Sequence, residues 1–285
     1  VINDRTDTVA ILGATSLVGE PLVRLLAARG DDVLAYSRRA HTDSTPNCHW
    51  RELGVAAIEA ARLWVSVIPI WALPEHFSRL EASGARHVVQ LSSTSQFTKL
   101  HSPDPVEAEL AKRLIEGETV FRSWAEAHGI AWTILRPTLI YGAGRDRNVT
   151  EIARFVRRFG FFPVMGAARG LRQPVAADDV ARACVGALAA PLAANRAYTI
   201  SGAETLTYRG MVERVFASMG REPRTPSIPP GLFAAAVACL RLLPRYRHWN
   251  TAMAERMNTD MVFDHTAAAQ DFGYAPGPFA PGPFP

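Results

Sequence analysis

From position 9 to 12 the chain is wholly apolar (Val9-Ala10-Ile11-Leu12), and from 17 to 29 apolar residues recur at helical spacing, at Leu17, Leu22, Leu25 and Leu26, before Gly30. A short continuous apolar run followed by a 3.6-residue period predicts a buried strand feeding an amphipathic helix, and a glycine just past the last periodic residue predicts its C-terminal cap. The alternation continues. Strands are predicted at 32–36, 49–51, 63–68, 87–92 and 131–135, and helices at 55–61, 73–83 and 104–128, the last with a break near Gly117. Strands alternating with crossover helices imply a parallel sheet covered on both faces, so the expected fold class is α/β, a doubly wound sheet with a smaller C-terminal lobe.

The second half is less regular. Helices are predicted at 151–159, 178–190, 207–219 (capped by Thr207), 231–243 and 251–257, and a strand at 198–200. A proline-rich connection spans 226–230, and the Pro/Gly/Phe-rich end, 274–285, is expected to be extended. The expected division is a nucleotide-binding domain at 1–145, to which 173–200 returns, and a smaller substrate or partner lobe from 146–172 and 201–285.

Chemistry enters at the first turn. Gly13-Ala14-Thr15-Ser16-Leu17-Val18-Gly19 joins the first strand to the first helix. Such a turn presents unpaired main-chain N–H groups and the positive end of a helix, which suits a pyrophosphate.

Composition and charge then narrow the partners. Of 31 basic residues only Lys99 and Lys112 are lysine, and the net charge is +4. Seven arginines lie between Tyr141 and Arg172 against only Asp146 and Glu151, giving that segment +5. Arginine suits bidentate contact with anionic groups, so the segment reads either as a solvated helix face or as the wall of an anionic cleft. No aromatic stacking platform or nucleic-acid module accompanies it, so no nucleic-acid partner is expected. Cys48, Cys184 and Cys239 lack metal-ligand spacing, which points to free thiols, no metal and a reducing, cytoplasmic setting. The polar start predicts no signal peptide, and the longest apolar run is too short to span a bilayer. The apolar segment 231–243, followed by Arg245 and Arg247, reads as a buried helix, with a partner or an anionic membrane surface as the weaker alternatives.

Five motifs in order resemble the short-chain dehydrogenase/reductase superfamily, in its extended or atypical branch, which includes NAD-dependent epimerases and dehydratases. They are the 13–19 turn; Ser37-Arg38-Arg39; Leu91-Ser92-Ser93-Thr94; Arg136-Pro137-Thr138 running on to Tyr141-Gly142; and Arg172-Gln173-Pro174-Val175 followed by Asp179. The resemblance implies that cofactor contacts come from Gly13, Thr15, Ser16, Leu17, Val18 and Gly19, from the strand ends at Val67, Ile68, Pro69, Leu91 and Pro137, and from Ser37, Arg38 and Arg39. Ser16 replaces the family's middle glycine; its hydroxyl serves either phosphate or the helix N-terminus. An acid after the second strand would select NAD, whereas Arg38 and Arg39 pair with a 2′-phosphate, so NADP is expected over NAD. By position Thr94 is the hydroxyl that polarises the substrate oxygen, Arg172 faces the diphosphate of a nucleotide sugar, and Asp179 is structural, a helix N-cap together with Asp178. Arg145 and Asn148 are expected to help hold the substrate. A homodimer is implied by the resemblance alone.

The superfamily's acid/base is a tyrosine four residues before a lysine, on the helix predicted at 104–128. That stretch contains no tyrosine. One alignment sets Ala108 and Lys112 at the pair; another, anchored on Glu118, sets Leu110 and Leu114 there. The proton then comes from Tyr141, Lys112, Lys99 or a water held by Thr94, or the chain binds cofactor without turnover. The resulting expectation is an NADP-dependent oxidoreductase or isomerase acting on a small anionic substrate, with a nucleotide sugar as the candidate. The alternative is an NAD(P)-binding regulatory or assembly protein.

Overall fold

The fold was analysed in a computed structural model that describes residues 8–41, 44–229, 231–232 and 255–284. Seven strands, β1 (Thr8–Leu12), β2 (Asp32–Ser37), β3 (Cys48–Glu52), β4 (Leu63–Ser66), β5 (His87–Leu91), β6 (Ala131–Pro137) and β7 (Arg196–Ile200), form one parallel sheet in the order β7-β6-β5-β4-β1-β2-β3. The strand order reverses between β1 and β4. Leu12 pairs with Tyr36 on one side and Ser66 on the other, so the carboxyl ends of these strands share one edge. In doubly wound sheets the crevice outside that reversal point is where ligands sit.

Side chains alternate between two cores, as the two-residue period of a strand requires. Val9, Ile11, Val33 and Val89 face α1 (Gly19–Ala28) and α6 (Ala177–Ala189). Ala10, Leu12, Leu34 and Trp64 face the other layer, made by a 3-10 turn at Ile70–His76, α2 (Phe77–Ala82) and α4 (Pro105–Ala127). Burial on both faces explains why the strands read as continuous apolar runs.

Three expectations change. The helix expected at 55–61 is absent; Leu53–Val55 turns instead, and Arg51 pairs with Glu59 across the segment. The helix expected at 73–83 begins as the 3-10 turn, because Pro74 lies inside it and lacks an N–H. The long helix α4 runs unbroken through Gly117. A Cβ there would meet Ile70 Cγ2 at 2.9 Å, so this glycine lets α4 press against the 3-10 turn and marks no break. Asp104 caps α4 by accepting from Val106 N at 2.9 Å.

A third core joins α5 (Val149–Phe159) and α7 (Tyr208–Ser218) through Phe155, Val156, Met211 and Phe216. Thr207 caps α7 as expected. Asp179 is not the cap of α6. It is buried in the first turn, pairs with Arg182 and accepts from Gly277 N at 3.1 Å, so it fastens the C-terminal segment to the sheet. From Tyr274 onward that segment is extended, with Tyr274 donating to Ser201 O at 2.9 Å. Of the helices expected at 231–243 and 251–257, only 231–232 and 255–257 lie among the described residues; Cys239, Arg241, Arg245 and Arg247 lie outside them. No helix among the described residues is long and apolar enough to cross a membrane, and no cluster of potential metal ligands occurs among them.

Candidate functional site

The turn after β1 is pinned by its own backbone. Gly13 N and Ala14 N both donate to Tyr36 O at 3.1 Å, and Ser16 N donates to Gly13 O at 2.9 Å. Gly13 has φ +88°, and a Cβ on it would lie 2.9 Å from Ile68 Cγ2. Gly19 is stricter still: a Cβ there would lie 2.2 Å from Gly13 O. Both glycines are therefore demanded by the close approach of strand, turn and helix. Ser16 Oγ accepts from Gly19 N at 3.0 Å, which makes it a helix cap; its own O–H remains available to donate. Among the described residues no protein acceptor meets the amides of Thr15, Leu17 or Val18. Those amides, at the positive end of α1, fit a diphosphate.

The turn opens onto a cleft of about 310 Å³. Ser16, Leu17 and Val18 form one wall, and Val67, Ile68 and Pro69 beyond β4 form the next. Leu91 and Ser92 end β5 at its floor, where Ser92 Oγ is buried without a hydrogen-bond partner. Leu110 and Leu114 of α4 close the far side. The alignment anchored on Glu118 is therefore the one the fold supports: two leucines occupy the wall where a phenol and an ammonium were sought. Lys112 is exposed on another face of α4 and lines neither this cleft nor the cavity described next, which corrects its expected catalytic place.

At the tip of β2, Ser37 is buried and donates to Arg39 O at 2.5 Å, whereas Arg38 and Arg39 are exposed. The cation pair is thus presented outward while the serine shapes the loop. Pro137 lines neither space; its carbonyl accepts from Thr94 N at 3.1 Å and Thr94 Oγ1 at 3.2 Å, which holds the end of β6 to the segment after β5.

A second cavity of about 420 Å³ adjoins the cleft and shares Ser93, Ser95 and Ile140 with it. Thr94, Lys99, Asn148 and Arg172 line it, as do Arg147, Glu151 and Arg256. Arg172 is 5% exposed and has carbonyls rather than carboxylates as partners: Nη1 donates to Leu171 O and Thr259 O at 2.7 Å each, and Nη2 donates to Arg256 O. Its guanidinium carbon lies 5.6 Å from the Tyr208 ring centroid, and burial holds its pKa below the usual arginine value. A cation fixed by neutral groups keeps its charge for an incoming anion. The remaining lining is mixed: Ile152, Phe162, Met211, Met257, Met261 and Phe263 are apolar, and Thr98, Thr138, Gln173 and Tyr208 are polar.

Two further expected residues are elsewhere. Tyr141 lies under the C-terminal segment: its hydroxyl accepts from Ala280 N at 3.1 Å, its ring packs edge-on against Phe279, and burial raises its pKa. It lines neither space, so the loop does not deliver a phenol to the site. Arg145 points at α1, where its guanidinium forms a two-armed pair with Glu20 at 2.9 and 2.7 Å. The sequence offered no signal for Arg256, Met257, Met261 or Phe263. They arrive from more than 80 residues beyond Arg172 and join the cavity only because Met261 N donates to Leu171 O at 2.9 Å and Leu171 N to Asp260 Oδ1 at 2.9 Å.

Fold, glycine turn and cleft define an α/β protein of Rossmann type. The model of the NAD dependent epimerase/dehydratase family matches residues 73–201, and over that stretch the chain is similar to the family. It is 29% identical to the uncharacterized protein y4nG of Sinorhizobium fredii, over 68% of this chain and 50% of that one. It is 25% identical to a 2-alkyl-3-oxoalkanoate reductase of Stenotrophomonas maltophilia, over 94% of each. It spans half or less of the length of three of the curated relatives it matches. A crystal structure of UDP-glucuronic acid 4-epimerase from Bacillus cereus in complex with NAD has the same fold, with a TM-score of 0.71 at 12% identity, over 96% of this chain and 93% of that one.

Proposed function

We propose that this chain is an NADP-dependent oxidoreductase acting on an anionic substrate that carries an oxo or hydroxyl group. The observation that carries the reading is the adjoining cavity, where Thr94 sits among Lys99, Arg147, Arg172 and Arg256, and where Ser93 and Ser95 join it to the cleft. In this reading the amides of Thr15, Leu17 and Val18 hold the diphosphate, and Arg38 and Arg39 hold a 2′-phosphate. The cofactor, when bound, supplies or accepts a hydride. Thr94 hydrogen-bonds the substrate oxygen once its hydroxyl turns away from Pro137 O, and Arg172 receives the anionic group, with Asn148 beside it. Arg145, paired with Glu20, serves the rim of α1 instead.

The lining narrows the substrate further. A nucleotide sugar needs polar partners for its base and hydroxyls, and Ser93, Thr98, Thr138, Asn148 and Gln173 are those the lining offers. A carboxylate with an apolar body, of the 2-alkyl-3-oxoalkanoate kind named for the Stenotrophomonas relative, matches a cationic end and a wall of Met211, Met257, Met261 and Phe263. A second reading, a cofactor-binding protein without turnover, is favoured by Leu110 and Leu114 in place of the phenol and ammonium.

The test is a pair of assays on one preparation. NADPH and NADH are titrated by fluorescence, and reduction is then followed with 3-oxododecanoate, acetoacetate and simple aldehydes, and hydride exchange with UDP-glucuronate. Tight NADPH binding with turnover of an oxo acid supports the proposal. Tight binding with no turnover supports the second reading, and no binding removes both.

A further inference from the structure

The reaction reading leaves a proton without a donor, and the structure narrows the choice. Tyr141 is under the C-terminal segment and Lys112 is on another face of α4. Arginines in the cavity stay charged at any working pH and cannot cycle a proton. Glu151 is engaged with Arg154 at 2.7 Å. Two groups remain in the cavity, Lys99 and Tyr208. Tyr208 lies beneath Arg172, at the end of the cavity assigned to the anion.

Lys99 is placed differently. It follows α3 (Ser95–Thr98), whose N-cap is Thr94. Thr94 and Lys99 thus flank this single turn, and both line the cavity. Ser95, in the same turn, lines both spaces. The ammonium is held but not enclosed: Nζ is 3.4 Å from Glu107 Oε1, with the two side chains 23% and 10% exposed. Glu107 is itself fixed, because its Oε2 accepts from Ser102 Oγ at 2.9 Å and pairs with Arg256. Thus a carboxylate on α4, shared between two cations, holds the ammonium of a lysine that lines the same cavity as Thr94.

Resting on the reaction proposed above, we infer that Lys99 is the proton donor of this site and Glu107 its positioning residue, in place of the tyrosine–lysine pair that Leu110 and Leu114 displace. In the reductive direction the carbonyl carbon receives a hydride from the reduced nicotinamide, and a new C–H bond forms. The C=O π pair moves to oxygen, and oxygen takes a proton from Lys99 Nζ. The products are the alcohol, the oxidised nicotinamide and a neutral amine, which regains its proton from water. Thr94 holds the oxygen after its hydroxyl exchanges Pro137 O for the substrate. The charges facing the ammonium are Glu107 from α4, Arg256 from the C-terminal segment, and Arg147, Glu151 and Arg172 across the cavity.

The experiment compares wild type, K99M, K99R, E107Q and Y208F by NADPH titration and by NADPH-dependent reduction of 3-oxododecanoate across pH. The expected result is NADPH affinity within about twofold of wild type in all variants. Loss of a general acid lowers kcat by about 10²–10⁴-fold in K99M, with no rescue in K99R. E107Q moves the alkaline limb of the kcat/KM profile, and Y208F changes KM more than kcat. Because Lys99 and Lys112 are the only lysines, ¹³C reductive methylation yields one dimethyl-lysine signal for each, assigned with K112R. The Lys99 signal is expected to shift when 3-hydroxydodecanoate and NADP⁺ are added together, while that of Lys112 stays. Wild-type turnover with K99M within threefold, or a Lys99 signal that ignores the ligand pair, overturns the assignment and leaves the reaction standing. A wild type that binds NADPH but reduces no oxo acid overturns both.

Discussion

Glu118 offers the sharpest test of how the site is held. It is a buried carboxylate on α4, 5% exposed, and it binds two elements at once. Arg136, at the end of β6, donates through Nε at 2.9 Å and Nη2 at 2.5 Å, and Gln96, in α3, donates at 2.6 Å. One side chain thus ties α4, β6 and the turn that carries Thr94. Glu118→Gln keeps the shape and removes the charge, leaving Arg136 without a carboxylate among the described residues. Breaking a buried pair costs about 3–5 kcal/mol, and hydrogen bonds to charged groups contribute about 1.5–3 kcal/mol each. Arg136 has a side chain 22% exposed and can recover some hydration, so about 2–3 kcal/mol is expected. With a urea slope of about 2–3 kcal/mol per molar, the unfolding midpoint falls by about 1 M. The assay is urea denaturation of wild type, E118Q, R136M and the double variant. The double variant should lose less than the sum of the singles, since neither charge is then stranded. A midpoint change below about 0.2 M in E118Q, or strict additivity in the double variant, would refute the claim that this pair holds the site together.

The other expectations are simpler. Gly19→Ala should abolish measurable NADPH binding, because its Cβ would meet Gly13 O at 2.2 Å and push the turn from the diphosphate; fluorescence titration at unchanged circular dichroism checks this. Arg38→Asp should weaken NADPH at least about tenfold and NADH by less than about threefold, and equal losses would remove the 2′-phosphate assignment. Burial pushes the Cys184 thiol up to about 12, so at pH 8 it is protonated; a thiol reagent should label it only on unfolding, and rapid labelling of the native protein would contradict its enclosure.

Much of the architecture is legible locally. Thr8–Leu12, the glycine turn and the helix after it announce themselves because a parallel strand is buried on both faces and because Gly19 answers to Gly13 O within the same turn, although the crowding at Gly13 comes from Val67 and Ile68. The positive φ of Gly13 and the cap made by Ser16 belong to the same local logic. Gly117 shows the limit: its sequence signal is that of a helix breaker, and only the approach of Ile70 reveals why an α-helix tolerates it. The segment 55–61 fails in the opposite way, since its helical composition is overridden by Arg51, which draws Glu59 toward β3.

The sequence by itself determined which segments are the main strands, the glycine turn after β1, the arginines after β2 and the absence of a tyrosine from 104–128, features written in neighbours near in the chain. Tertiary structure alone decided which charges meet. It turned Arg145 onto Glu20 and Tyr141 under Ala280, and it brought Arg256 to the Glu107 carboxylate that also holds Lys99. The reason is physical: a side chain's charge is written in its residue type, but its partner is set by distances that close only when segments more than 100 residues apart pack together.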